Sequence, residues 1–154
     1  MIIENFCVYS YSIKLGDHTT TESFNRAVDR IPLMASTTRI DKALRLAQKQ
    51  MFIKANGGRA DAKKILFLLT DGKQSIPRGL NRNQNPDDPS IVANELRASG
   101  VLVIAVGIGP HTDADELIRL AGGEENAFRA ASFDELNSRK FLKKVADKAC
   151  KAGE

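Results

Sequence analysis

The chain has 154 residues, 42% of them hydrophobic and 27% charged, which is ordinary globular usage for one domain and excludes disordered and collagen-like classes. No apolar run approaches the roughly 18 residues that span a bilayer as a helix, and MIIENFCVYS at the start lacks a basic leader, a full apolar stretch and a cleavage site. Twenty-three Lys and Arg against nineteen Asp and Glu leave a net charge of +4, read as an excess spread along the chain rather than massed.

Phe6 to Tyr11 mixes aromatic and β-branched residues, and Ile13 to Leu15 continues the extended pattern until Gly16-Asp17 break it. Two short strands or a hairpin are expected there. Thr21 to Ile31 places Phe24, Ala27, Val28 and Ile31 at helical spacing; Pro32 ends that helix and begins a loop to Thr37. Thr38 opens a clearer helix. Its apolar face runs Ile40, Ala43, Leu44, Ala47, Met51, its polar face carries Lys42, Arg45 and Lys49, and Gly57-Gly58 stop it.

Ile65 to Leu69 is an uninterrupted apolar run closed by Thr70-Asp71-Gly72, the pattern of a strand covered on both faces. Lys73 to Asp88 follows, sixteen residues rich in Asn, Pro and Arg. Structureless loops of that length are uncommon in compact domains. Asp88-Pro89 supplies an N-cap and first helical position for a helix over Ser90 to Ser99, with Val92 and Leu96 facing inward and Gly100 ending it. Val101 to Ile108 is a second buried strand. Thr112 or Asp113 caps the next helix, which carries Leu117, Leu120 and Ala121 on one face and ends at Gly122-Gly123. A short last strand is expected at Ala127 to Ala130, and a closing helix from Leu136 to Ala149 on an apolar face of Phe141, Leu142, Val145, Ala146 and Ala149. Strands alternating with helices imply an α/β fold: a doubly wound, mostly parallel sheet with helices on both faces and ligands at the carboxyl ends of its strands.

Several features have plain structural explanations. Arg139, Lys140, Lys143, Lys144, Lys148 and Lys151 are the densest basic stretch; cations in the last turns of a helix complement its dipole, so a solvated face accounts for them. Trp is absent and only Phe141 accompanies these cations, which argues against nucleic-acid binding. Cys7 and Cys150 form no metal framework, Cys7 reads as a small buried hydrophobe, and whether the two pair is left open. Val106-Gly107-Ile108-Gly109-Pro110 lacks the third glycine of a dinucleotide loop. Neither His18 nor His111 lies in a hydrolase motif, no nucleophile–base pair can be nominated, and no enzymatic activity is expected. Taken singly, Asp71 is a turn aspartate capping local amides, and Thr38 is the first residue of a capping box, Thr38-Arg39-Ile40-Asp41.

Together they say more. Ser36-Thr37-Thr38-Arg39-Ile40-Asp41-Lys42-Ala43-Leu44 opening a helix, followed by Ile65-Leu66-Phe67-Leu68-Leu69-Thr70-Asp71-Gly72, resembles the von Willebrand factor type A domain. Val8-Tyr9-Ser10, Val103-Ile104-Ala105-Val106-Gly107-Ile108-Gly109 and Ala131-Ser132-Phe133-Asp134-Glu135-Leu136 extend the resemblance over about residues 6–149, with the domains of matrix and adhesion proteins nearest in character. It implies a single domain over 1–154 that acts as a protein-interaction module outside the cell, binding a protein ligand such as a matrix component, collagen included; the sequence itself adds no nucleic-acid partner and no membrane span. The implied binding edge is Thr37, Thr38, Asp71, Gly72 and Lys73.

Many members of that family hold one Mg²⁺ at the carboxyl edge of the sheet, its open position taken by an acidic residue of the partner. By the family pattern Thr38 and Asp71 are metal ligands, direct or through water. The first strand of the family also ends in Asp-x-Ser-x-Ser, which supplies the largest share of ligands, and no such motif occurs in this sequence. Thr38 and Asp71 alone are too few oxygens for a hard dication. The expectation is therefore an N-terminally truncated copy without the central first strand and first helix, with no cofactor as it stands and Mg²⁺ only if the missing motif is supplied. Two alternatives stand beside it: a non-functional or partner-completed fragment of a larger secreted protein of this kind, and an enzyme of unknown class.

Overall fold

Val101 to Ile108 has no charged side chain and no helix-capping residue before it other than Gly100, whose φ of +84° turns the chain out of the preceding helix. Among the described residues it forms the middle strand of a three-stranded parallel sheet. A computed structural model describes residues 13–32, 38–75 and 87–151. In chain order these form α1 (Thr21–Asp29), α2 (Ile40–Leu46), β1 (Lys64–Thr70), α3 (Pro89–Ala98), β2 (Val101–Ile108), α4 (Ala114–Ala121), β3 (Ala127–Ala130), α5 (Phe133–Leu136) and α6 (Arg139–Lys151). The sheet order among the described residues is β1-β2-β3. Lys64 pairs with Val101 through to Thr70 with Gly107, and Ala105 with Ala127 through to Ile108 with Ala130.

Alternation along β2 divides the core in two. Val101, Val103 and Ala105 point to one face, where α2, α3 and α4 bring Ile40, Leu44, Val92, Ala93, Leu96, Leu117, Leu120 and Ala121 against them. Ile104 and Val106 point to the other, where Phe128, Ala130 and Phe141 pack, with Val145 and Ala149 of α6 beside them. Each fully buried side chain of this kind contributes about 1.5–3 kcal/mol relative to exposure. Helices on both faces of a parallel sheet are the architecture the alternation predicts.

The helix ends follow from named groups. Asp88 Oδ1 accepts from the Ser90 N–H at 2.9 Å with Pro89 at the first helical position, and Asp113 Oδ1 accepts from the Glu116 N–H at 3.0 Å. Gly122 closes α4 with φ of +80°.

Five expectations are corrected. Ile13 to Leu15 do not continue a strand: Lys14 and Asp17 close a turn through Asp17 N–H to the Lys14 carbonyl (3.2 Å) and Lys14 N–H to Asp17 Oδ2 (2.8 Å). The helix opened near Thr38 is α-helical only to Leu46; Ala47–Met51 continue as a π-helical turn and Lys54–Asn56 as a 3-10 turn before Gly57. β1 is not covered on both faces, since Phe67 and Leu69 are 44% and 53% exposed among the described residues. The closing helix begins at Arg139, and Leu142 and Ala146 of its expected apolar face are exposed. α1 ends at Asp29 rather than at Ile31, and Phe24 and Val28 on it and Ile31 beyond it are likewise exposed. The expected strand at Phe6 to Tyr11, Cys7, Thr37 and most of the loop from Lys73 to Asp88 lie outside the described residues; Cys150 is exposed on α6.

Candidate functional site

The carboxyl ends of β1 and β2 release two loops side by side, because Thr70 and Gly107 are register partners. The first turn is closed by Thr70, not by Asp71. Its hydroxyl donates to the Gly72 carbonyl at 2.7 Å and accepts from the Gly72 N–H at 3.3 Å. Among the described residues the Asp71 carboxylate takes no local amide and is exposed on this turn, which replaces the turn-capping explanation of that residue.

Thr38 is fastened to the same loop. Its N–H donates to Ser75 Oγ at 2.6 Å, and the Ser75 N–H donates to the Thr38 carbonyl at 2.9 Å. The segment before α2 and the loop after β1 are thus one hydrogen-bonded rim, 37 residues apart in sequence. The capping-box expectation fails here. Arg39, not Thr38, occupies the N-cap position of α2, and no side chain of that residue caps the helix. The Asp41 N–H, an orphan of the first turn, instead donates to Gln74 Oε1 at 2.7 Å. Gln74 then uses its Nε2 to donate to the Asp87 carbonyl at 3.0 Å, so one amide holds both stems of the long loop and the start of α2.

Asp41 is free for another partner because it does not reach back as a capping-box acid. Arg39 Nε and Nη2 donate to its two carboxylate oxygens at 2.8 and 2.6 Å, with the side chains only 8% and 5% exposed. Burial disfavours the charge on Asp41, but the Arg39 guanidinium outweighs it, aided by the Lys42 N–H, and holds the carboxyl below its ordinary range. The same bond holds the Arg39 guanidinium above its usual value.

A second ion pair crosses between the two loops. Lys73 Nζ lies 2.6 Å from Asp113 Oδ2. The Lys73 ammonium and the Glu116 N–H together pull Asp113 down to about 2, while Asp113 raises Lys73. Further back, Arg45 of α2 pairs with Glu95 of α3 and, at 3.3 Å, with Asp87 at the end of the loop. A shallow cavity of about 310 Å³, lined by Gly109, Pro110, Arg129, Ala130, Ala131 and Glu135, continues the edge past β2 and β3.

Four of the five predicted edge residues, Thr38, Asp71, Gly72 and Lys73, therefore belong to one rim; Thr37 lies outside the described residues. Gln74, Ser75 and Asp113, which hold this rim, were not singled out from sequence as doing so. Only the polar composition of Gln74-Ser75 beside a chemistry-bearing Asp71 signals such a role.

A resident dication fits this donor set poorly. The predicted ligands amount to one hydroxyl and one carboxylate, against the six oxygens a Mg²⁺ or similar ion collects. Among the described residues no three His, Cys, Asp or Glu side chains gather in a way that could hold a metal ion.

A parallel sheet wound by helices, with a threonine segment and a Thr-Asp-Gly turn tied together at its carboxyl edge, is the architecture of a doubly wound α/β domain whose loops meet at one rim. The von Willebrand factor type A domain model matches residues 8–144, and the chain belongs to that family. Proximal thread matrix protein 1 from the mussel byssus superposes with a TM-score of 0.77 at 32% identity, over 89% of this chain and 33% of that one. Another structure of that mussel protein has a zinc-occupied MIDAS motif. The mouse collagen alpha-6(VI) chain is 30% identical over 147 residues, 94% of this chain, and human integrin alpha-X 27% identical over 143 residues, 85% of this chain. This chain spans only 6% and 12% of those two relatives. The relatives are matrix and adhesion proteins, and the domain they share with this chain supports a protein–protein adhesion module.

Proposed function

We propose that this chain is a single binding domain working outside the cell, which engages a matrix protein such as collagen through Thr37, Thr38, Asp71, Gly72 and Lys73 without a resident metal. The observation that carries the reading is the Thr38–Ser75 pair of hydrogen bonds, which joins the two family segments into one rim on which the Asp71 carboxylate is exposed. An exposed carboxylate beside an ammonium offers charge-assisted bonds to a basic or amide-rich partner. No step of this reading passes through a metal.

Binding to immobilised fibrillar collagen, measured in Mg²⁺ and again in EDTA, tests it. Saturable binding that is equal in both buffers, and at least about tenfold weaker for Asp71→Ala (1.4 kcal/mol) with an unchanged circular dichroism spectrum, is the expected result. Wild-type affinity for Asp71→Ala would remove this edge as the contact. Binding abolished by EDTA would restore the metal.

A second reading, a fragment completed by a partner, is favoured by one observation. Among the described residues β1 is paired on one side only, and Phe67 and Leu69 lie exposed on it. An exposed apolar edge strand invites a further strand.

A further inference from the structure

Helix α6 carries six cations, Arg139, Lys140, Lys143, Lys144, Lys148 and Lys151, and a single carboxylate, Asp147. Its net positive charge exceeds the +4 of the entire chain, so the rest of the molecule is close to neutral and the basic excess is massed rather than spread. Complementing the helix dipole accounts for Lys148 and Lys151 in the last turn. It cannot account for Arg139 and Lys140, which sit in a first turn without any acidic residue, where the dipole disfavours a cation.

The cations are also arranged. Phe141 is buried, and Val145 and Ala149 pack on the sheet face formed by Ile104, Val106 and Phe128, which fixes the rotation of α6. Lys143 is engaged by Asp147 at 2.8 and 3.0 Å, the one ion pair on this helix among the described residues. Of the other five, Lys140, Lys144, Lys148 and Lys151, at i, i+4, i+8 and i+11, form one stripe along about 16 Å of helix. Lys144 lies over the Phe128 ring, 5.3 Å from its centroid, which places the stripe on the β3 side. This is the face of the sheet opposite to α2 and the Thr38 rim.

We propose that this stripe is a binding surface for a linear sulfated polysaccharide. A row of ammonium groups along one stripe, on a helix whose single carboxylate, Asp147, is engaged by Lys143, matches a chain of regularly spaced monoanionic sulfates, and release of counterions drives the association. Two other polyanions fit less well. Single-stranded nucleic acid needs several aromatic faces for base stacking, and the rings packed between α6 and the sheet, Phe128 and Phe141, are 6% and 7% exposed, which leaves Phe133 of α5 as the one open ring near this helix among the described residues. An anionic membrane favours a helix with a broad free apolar face, and on α6 Phe141, Val145 and Ala149 are packed on the sheet, leaving only Leu142 and Ala146 open. Five of the six cations are lysines, point charges without the planar fork that favours bidentate phosphate contacts. The surface is independent of the Thr38 rim, so either can fail alone.

Heparin is the probe. The full chain is compared with a variant carrying Lys140→Gln, Lys144→Gln, Lys148→Gln and Lys151→Gln, and with a control carrying Lys42→Gln, Lys49→Gln, Lys54→Gln and Lys63→Gln, which has the same net charge. Elution from immobilised heparin against a sulfonate resin, and affinity as a function of salt, are measured after circular dichroism confirms the fold. The α6 variant is expected to bind heparin at least about tenfold more weakly at 0.15 M salt and to lose most of the salt dependence, with the control close to wild type. Equal loss in the control would reduce the effect to net charge and overturn the proposal. So would tighter binding to single-stranded DNA or to phosphatidylserine vesicles than to heparin.

Discussion

Lys73 Nζ and Asp113 Oδ2, 2.6 Å apart, join the loop leaving β1 to the cap of α4 and so hold two edges of the proposed binding rim together. Asp113 titrates near 2 instead of its ordinary 3.8 because Lys73 and the Glu116 N–H favour its charge. A depressed carboxyl stabilises the fold above its unfolded value and loses that contribution as pH falls through the folded one. The difference in stability between wild type and Asp113→Asn should therefore be constant from about pH 5 to 9 and shrink between about pH 4 and 2. Lys73 is raised above 10.5, so its share persists below that value and fades only at more alkaline pH. Asn keeps the capping oxygen, which isolates the ion pair; urea titrations across this range check the outcome.

Arg39→Ala should be among the most damaging changes near the rim. It leaves the 5%-exposed Asp41 side chain ionised without its guanidinium, a loss of about 3 kcal/mol. The combination of Arg39→Met with Asp41→Leu should recover most of it, because two apolar side chains remove the desolvation cost along with the pair. Asp41 is held below 3.8, so the pair contributes above that pH and is lost as pH falls through the depressed value. Urea midpoints at pH 7 and pH 3 provide the comparison. If the double variant is as unstable as Arg39→Ala, an uncompensated carboxylate is not the cause.

Gly107 is small for a packing reason. A Cβ built there would meet Leu117 Cδ1 at 2.6 Å and Thr112 Cβ at 2.9 Å, both pressed on the end of β2. Thr112 is anchored by its hydroxyl, which donates to the Gly109 carbonyl at 3.0 Å, so it cannot step aside freely. Gly107→Ala should cost about 1–3 kcal/mol by overpacking, measured by denaturant unfolding. An unchanged midpoint would mean that α4 shifts outward at little cost.

The second half of the fold was legible because its signals are local. Five-residue and eight-residue apolar runs, Asp88-Pro89, Asp113 and Gly122 each fix an element from within a few positions, and β2, α3, α4 and β3 lie where those signals put them. What escaped depends on partners distant in sequence. Gln74 takes over the first-turn amide of α2 from 33 residues away, so Thr38-Arg39-Ile40-Asp41 has the letters of a capping box without its bonds. The exposure of Leu142 escaped for a similar reason: the helix was phased on five apolar residues, while the sheet accepts only the stripe of Phe141, Val145 and Ala149. Thr38 and Asp71 were visible as a pair only through the family pattern; the Ser75 bonds that unite their segments could not be read from spacing.

β1 provides the last prediction. Its apolar run cannot tell a strand buried on both faces from an edge strand with one face open, and side-chain alternation makes the difference measurable. Leu66 and Leu68 pack toward the core of α2, α3 and α4, whereas Phe67 and Leu69 are 44% and 53% exposed. Leu68→Ser should therefore cost about 2 kcal/mol or more, and Leu69→Ser no more than about 0.5 kcal/mol, in the isolated chain. Phe67→Ser should resemble Leu69→Ser and also raise solubility, because it removes a large exposed apolar side chain. Unfolding midpoints and sedimentation of the three variants decide it. A cost at Phe67 and Leu69 equal to that at Leu68 would show that this face is covered in the folded protein, and with it the partner-completed reading would lose its supporting observation.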